Sequence, residues 1–248
     1  MTNWSPMRLT RRFTAAVVVS LTIAGLTACS GADPTPTPTD HASTAEAKTE
    51  DPKAAEPTAT ETKEPPTVDA GGAASWANPV TTGGELLTTI SGTGFKVDVY
   101  QVGVTQATRT GSFVNPDTKQ PIIPVGSDIV FVNYVVTNTG SKPLSLGASL
   151  IQVNGKYEDW PYMQGMDSVT DSALFKQMGV NTDATKPGSF VDPYVLTFEP
   201  GTSYSVGTNF AYQARSPITF TAKFIPVDVN GDLLHDDTQE ATGQATIA

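Results

Sequence analysis

Residues 76–248 of this 248-residue chain are predicted to form an all-β antiparallel sandwich. Three observations predict it: short runs rich in β-branched and aromatic residues, Gly and Pro signals at short intervals between them, and almost no helical periodicity. The expected strands lie at 86–90, 95–108, 128–137, 144–153, 195–198, 203–212 and 218–227. A stretch of about 170 residues is ample for one hydrophobic core.

Two of these runs show how they should sit in the sandwich. The run 129–136 is almost continuously apolar, which is typical of a central strand. In the run 218–227, Phe220, Ala222 and Phe224 alternate with more polar neighbours, which favours a strand with one buried face.

Turn signals separate the runs. The Asn-Gly pairs at 154–155 and 230–231 predict tight hairpin turns, because both residue types tolerate positive φ. Further turns are predicted at 138–141 and 199–202. One short helix is predicted after an N-cap at Thr170 or Asp171, ended by Gly179. Its expected buried stripe consists of Leu174, Phe175 and Met178.

The N-terminus carries a targeting signal. Basic residues at 7–12 precede an apolar run at 13–26, which is shorter than the roughly 20 residues needed to span a bilayer and suits a signal-peptide core. The run ends in Leu-Thr-Ala-Cys, and Cys29 is the one cysteine of the chain. These four residues resemble the lipobox of bacterial lipoproteins. The resemblance implies a signal peptide over 1–28, cleavage before Cys29, and lipidation of its thiol with diacylglycerol and palmitate.

Two alternatives stay open in this region. Cys29 could instead be a buried core cysteine behind an uncleaved helix. Arg11 and Arg12 raise the twin-arginine export route beside the general secretory route, although the apolar pair that should follow them is out of register.

Residues 29–75 are predicted to be a lipidated cysteine followed by a disordered tether rich in Pro, Thr and Glu. Between Ser30 and Val68 the chain has no Leu, Ile, Val or aromatic residue, so it has little to bury against the entropy of ordering. Threonines beside prolines also suit O-glycosylation.

The charge balance limits the partners. Removing residues 1–28 takes away three arginines and no acid, so the formal net charge moves from −10 to about −13. Such a surface repels phosphate backbones, so we expect no nucleic-acid partner. No basic patch is present to hold anionic headgroups, so membrane contact is expected through the N-terminal lipid.

A second resemblance spans roughly residues 95–227. Its motifs are Val-Asn-Tyr-Val-Val-Thr-Asn-Thr-Gly-Ser-Lys-Pro-Leu-Ser-Leu at 132–146, Leu-Ile-Gln-Val-Asn-Gly-Lys-Tyr at 150–157, Phe-Glu-Pro-Gly at 198–201 and Gly-Thr-Asn-Phe at 207–210. In this order they resemble a family of immunoglobulin-like domains of unknown function on bacterial secreted lipoproteins, which is similar to the immunoprotective extracellular antigens of actinobacteria. The resemblance implies an immunoglobulin-like sandwich and transfers no catalytic residue. The stretch 158–194 departs from the family as a long insertion.

An aromatic cluster forms the first candidate site. Tyr157, Trp160 and Tyr162 are close together, and such rings could stack on a sugar or a peptide. They could equally fold back as a lid over an open end of the sandwich.

A calcium loop is the second candidate. Asp228, Asn230, Asp232 and Asp236 offer oxygen atoms at alternate places, which is the pattern that Ca²⁺ prefers. The helix-loop-helix form would need Gly at the place of Leu233 and Glu at the place of Gln239. The alternative is an acidic Asn-Gly hairpin without metal.

Catalytic signals are weak. His235 is the one histidine of residues 76–248, no Gly-x-Ser-x-Gly motif is present, and no carboxylate pair stands out by its spacing. The sequence therefore favours a membrane-anchored surface lipoprotein of an actinobacterial-type Gram-positive cell. Its sandwich would be a non-catalytic module on the extracellular face that binds a cell-wall component or another surface protein. An envelope enzyme, or an enzyme accessory acting on wall glycan or peptide, is the alternative, and a purely structural spacer or antigen is a third.

Overall fold

The computed structural model describes residues 72–248, which form two antiparallel four-stranded sheets packed face to face. The elements in chain order are β1 (Glu85–Ser91), β2 (Phe95–Gln106), β3 (Asp128–Asn138), β4 (Leu144–Tyr157), α1 (Ser172–Gln177), β5 (Leu196–Phe198), β6 (Ser203–Ala211), β7 (Pro217–Pro226) and β8 (Gln239–Thr246). The predicted all-β sandwich is confirmed. Among residues 72–248, no helix combines the length and the apolar character needed to cross a bilayer.

The order of strands is that of an immunoglobulin-like sandwich. One sheet has the order β1-β2-β3-β6 and the other β5-β4-β7-β8. The chain crosses between sheets after β3, β5 and β6, so that β2-β3-β6 and β5-β4-β7-β8 take the A-B-E and C′-C-F-G places of that fold. Strand β1 adds an outer edge. The predicted turns at 138–141 and 199–202 make two of these crossings, with Gly201 at φ 73°.

Two sequence predictions of local structure were wrong. The pair Asn154-Gly155 is no turn: it lies inside β4, opposite Thr221 and Phe220 of β7. The glycine allows close approach, because a Cβ there would lie 2.9 Å from the Phe220 ring. Strand β8 was missed, since its inward residues Ala241, Gly243 and Ala245 are too small to give an apolar signal.

The predicted central strand is confirmed as β3, which is buried on both faces. Its inward residues, among them Val132 and Tyr134, belong to the core between the sheets. Its outward residues Ile129 and Phe131 pack under α1, where the Phe131 and Phe175 ring centroids lie 5.1 Å apart. The sandwich thus has a second, smaller core outside the first sheet.

The helix is confirmed within the stretch 158–194. Asp171 caps it, its side chain accepting a 2.9 Å hydrogen bond from Ala173 N, and Gly179 ends it at φ 67°. The stretch is fastened to β6, because the Asn209 side chain accepts from Val169 N at 2.8 Å and donates to Val169 O at 2.9 Å. Gly207 also lies so close to Val180 that a Cβ would meet it at 2.5 Å.

The described chain begins on β6. Ala74 N donates to Ser203 O at 2.8 Å, and Ser203 N donates to Gly72 O at 3.2 Å. Residues 72–75, which the sequence boundary assigns to the tether, therefore already contact the sandwich.

Candidate functional site

The strongest sequence prediction concerns residues outside the described range. The predicted signal peptide, Cys29 and the predicted tether up to residue 71 all lie there.

The aromatic cluster is packed inward. Tyr157 is fully buried and Trp160 is 8% exposed, while Tyr162 is half-buried. The Trp160 and Tyr162 rings meet edge to face at 5.2 Å, and the Tyr162 hydroxyl accepts a 3.0 Å hydrogen bond from Asn115. This burial favours the lid alternative, because a stacking platform needs an open ring face. Ligand binding by these three rings stays a prediction.

The Asp228 loop is organised by its own hydrogen bonds. Asp228 Oδ1 accepts from Asn230 N at 2.8 Å and Asp232 N at 2.9 Å, and Oδ2 accepts from the Asn230 amide at 3.1 Å. The backbone N–H of Asp232, followed by that of Asn230, lowers the pKa of the Asp228 carboxyl. Within the described residues no group of three or more His, Cys, Asp or Glu side chains is arranged to hold a metal ion. Calcium binding at Asp228, Asn230, Asp232 and Asp236 stays a prediction.

His235 is exposed and opens a short 3₁₀ turn that runs to Asp237. Its neighbours in the turn are acidic and also exposed.

A feature that the sequence did not predict lies on one flank of the sandwich. β6 is the edge strand of the first sheet. In the second sheet β5 pairs only with residues 144–146 of β4, so residues 151–157 of β4 have strand β7 on one side and, within residues 72–248, no strand on the other. The edge of β6 and the edge of residues 151–157 of β4 face each other across the sandwich, as the hydrogen bonds between Ile151 and the Tyr204 hydroxyl show.

A bulge in β4 lies where the pairing with β5 ends. Between the pairs Leu146–Pro226 and Ile151–Phe224, β4 advances five residues while β7 advances two. Leu150 takes the left-handed conformation there, with φ 51°, which is uncommon for a branched side chain. Bulges of this kind bend a strand and are often found beside functional sites.

Two tyrosines bridge the facing edges. The Tyr204 hydroxyl, from β6, accepts from Ile151 N at 3.0 Å and donates to Ile151 O at 3.3 Å. The Tyr157 hydroxyl, from β4, donates to Ala211 O at 3.0 Å. We call the opening between these two bridges the side window.

A third tyrosine lies at the floor of the side window. Tyr134 of β3 is 3% exposed, its ring packs edge to face on Phe220 at 6.1 Å, and its hydroxyl has no hydrogen-bond partner in the described part of the chain. Burial raises the pKa of this hydroxyl, which therefore stays protonated as a donor. A buried hydroxyl without a partner is costly and uncommon in folded proteins.

Two cavities are lined in part by Tyr134. Their volumes are about 420 Å³ and about 410 Å³, and both are lined by Tyr134, Val153, Asn154 and Thr208. Volumes of this size are within the range of small-ligand sites. The one sequence signal for this site is Tyr134 itself, a hydroxyl-bearing residue within the apolar run 129–136. In a run of that kind the apolar residues predict the strand, and the hydroxyl is easily overlooked.

The chain matches no protein-family model, no curated protein and no solved structure at a significant level.

Proposed function

We propose that this chain is a lipid-anchored surface protein whose immunoglobulin-like sandwich is a non-catalytic binding module on the extracellular face of an actinobacterial-type membrane. The observation that carries the anchor is Cys29, placed directly after a short apolar run with small residues at 27 and 28. Two or more acyl chains hold a protein firmly, since each buried methylene contributes about 0.8 kcal/mol.

The binding role is supported by the side window. It combines a cavity of about 420 Å³, two strand edges and a buried donor without a partner, which is a common composition for a recognition site. A cell-wall component or another surface protein is the class of partner that the proposed location makes available.

The anchor is tested by mass and by fractionation. Intact mass of the native protein should show a chain that begins at Cys29 and carries acyl groups, and Cys29→Ser should release the protein from the membrane fraction. Ser30→Ala, one residue further on, is the matched control and should stay membrane-bound. An unprocessed N-terminus, or Cys29→Ser that stays bound in high salt, would contradict the proposal.

The binding role is tested with cell-wall fragments. Retention of intact fragments by the full chain supports a binding module. Release of new soluble fragments would favour the alternative, an envelope enzyme or enzyme accessory acting on wall glycan or peptide.

A further inference from the structure

We propose that the side window receives an extended, uncharged peptide segment, which adds as a strand to the free edge of β4 and accepts a hydrogen bond from the Tyr134 hydroxyl. This inference deepens the proposed binding role and rests on it.

Alternate backbone groups of β4 point away from β7, towards the side window. Ile151 N and O both bond to Tyr204, away from β7. Because the hydrogen-bonding direction alternates along a strand, the N–H and C=O groups of Val153 and Gly155 point to the same free side. The edge of β4 therefore presents donors and acceptors at the two-residue spacing of an extended peptide.

The facing edge is already in use, which decides between the two strands. On β6, Ser203 bonds to residues 72 and 74, and Gly207 N donates to Asn181 O at 2.8 Å. The middle of β4 thus offers the better edge for an added strand, a mode of recognition in which main-chain hydrogen bonds give affinity and side-chain pockets give specificity.

The dimensions fit a short strand. Between the bridges at Ile151 and Tyr157 the window spans six residue steps, about 20 Å at roughly 3.3 Å for each residue. Gly155 and Thr208 are small residues that leave room in the side window. The half-buried Val153 and Val206 line it with apolar surface, against which alternate side chains of the peptide pack.

The floor of the side window disfavours charged ligands, although the exposed Lys156 and Asp183 also line the two cavities. Tyr134 is held in an apolar core, and a carboxylate or phosphate brought against it would lose its hydration. A backbone carbonyl is a neutral acceptor and repeats along a peptide. A glycan hydroxyl is neutral too, but it does not match the regular spacing of the β4 edge.

The test uses the full chain in detergent and a library of N-acetylated, C-amidated hexapeptides with β-branched residues at alternate positions. We expect the library to yield a binder by fluorescence anisotropy, and the bound peptide to slow hydrogen exchange at the amides of Val153 and Gly155. N-methylation of every second peptide residue should abolish binding in one register and spare it in the other, since a strand pairs through alternate residues.

Three variants complete the test. Tyr134→Phe should weaken the selected peptide by about three- to tenfold, the effect of one lost hydrogen bond, without lowering the melting temperature. Thr208→Leu, which fills the window, should weaken it at least as much. Tyr100→Phe on β2, which lines neither cavity, is the matched control and should bind as the wild type does.

Several outcomes would overturn the inference: a library without a binder, unchanged exchange at Val153 and Gly155, equal binding of both N-methylated registers, or slowed exchange at these amides with a wall oligosaccharide in place of the peptide. A melting temperature lowered by Tyr134→Phe with peptide affinity unchanged would also do so, since it would indicate a buried water as the partner. If no peptide bound, but Cys29 were acylated and intact cell-wall fragments were retained, the proposed function would still stand. Release of soluble fragments would remove the proposed function itself.

Discussion

The two flanks of the sandwich join the edges of the two sheets in opposite ways. On the flank of β1 and β8 the sheets meet closely: a Cβ at Gly243 would lie 3.0 Å from both Ile90 and Thr88. The C-terminal residue adds two hydrogen bonds with the Gln101 side chain, of 3.2 Å and 2.8 Å. On the flank of β4 and β6 the hydroxyls of Tyr204 and Tyr157 bridge the two edges, and the two cavities lie on this flank.

The difference shows how a sandwich can hold an opening without losing its core. A flank closed by small residues buries its edges directly, whereas a flank bridged by long side chains leaves space between its bridges. Backbone groups at the open flank need partners, and a ligand can supply them. We expect the two bridges to stabilise the open flank and close packing to stabilise the other.

The largest effect is expected at the Tyr204 bridge. Tyr204→Ala should lower the free energy of unfolding by about 3–5 kcal/mol, because a fully buried ring is lost from the core. Tyr204→Phe keeps the ring but leaves the Ile151 amide without its partner, which should cost about 1–3 kcal/mol. Urea unfolding measures both. A Tyr204→Phe protein as stable as the wild type would show that the hydroxyl does not hold the flank.

On the closed flank, Gly243→Val should lower the free energy of unfolding by about 1–3 kcal/mol through overpacking against Ile90 and Thr88. Gly83→Val is the matched control, because a Cβ there meets nothing within 4 Å. If both variants melted at the same temperature, the close contact of β1 and β8 would carry no energetic weight.

Alkaline pH should weaken the open flank specifically. Burial raises the pKa of Tyr134 and of Tyr204, whereas the unfolded chain ionises its tyrosines near pH 10. Because the folded protein keeps both hydroxyls protonated, they make the free energy of unfolding fall only as the pH rises from about 10 towards the raised pKa values. The free energy of unfolding should fall by about 1 kcal/mol for each tyrosine between pH 10 and pH 11.

Thermal melts at the two pH values measure this loss. A protein with both Tyr134→Phe and Tyr204→Phe should lose less stability over the same interval, and Gly243→Val should follow the wild type. An unchanged pH dependence in the double variant would assign the alkaline effect to other groups.

The smallest effect is expected at the second bridge. Tyr157→Phe removes the hydrogen bonds to Ala211 O at 3.0 Å and from Gln213 N at 3.3 Å while the ring stays on Phe210. The free energy of unfolding should fall by about 1 kcal/mol. Faster hydrogen exchange in 151–157 would accompany it, and unchanged exchange there would contradict the role of this bridge.

The sequence predicted the strands that bury large side chains and failed where burial uses small ones. β3 was found because its apolar run needs cover on both faces, and α1 because an N-cap and a terminal glycine flank its buried pair. β8 alternates Ala and Gly with polar residues, so its period of two carries no large apolar residue. Asn154-Gly155 has the composition of a turn, but the space that Phe220 requires decided its conformation.

The site was less predictable than the fold. Tyr157 and Trp160 were singled out for their aromatic character, yet their rings are buried in the core. The sequence does not distinguish Tyr134, because a tyrosine in an apolar strand normally contributes its ring to the core. Whether a buried hydroxyl has a partner depends on which groups of the facing sheet lie within hydrogen-bonding distance, and the sequence around Tyr134 does not reveal them.

The outer core beneath α1 has a consequence for anyone who wishes to shorten this domain. The stretch 158–194 lies outside the two sheets and could be taken as dispensable. However, its residues Val169, Leu174 and Phe175 cover Ile129 and Phe131 of the central strand. Deleting this stretch would expose an apolar patch on the surface and promote aggregation. A shortened domain would first need polar substitutions on the outer face of β3.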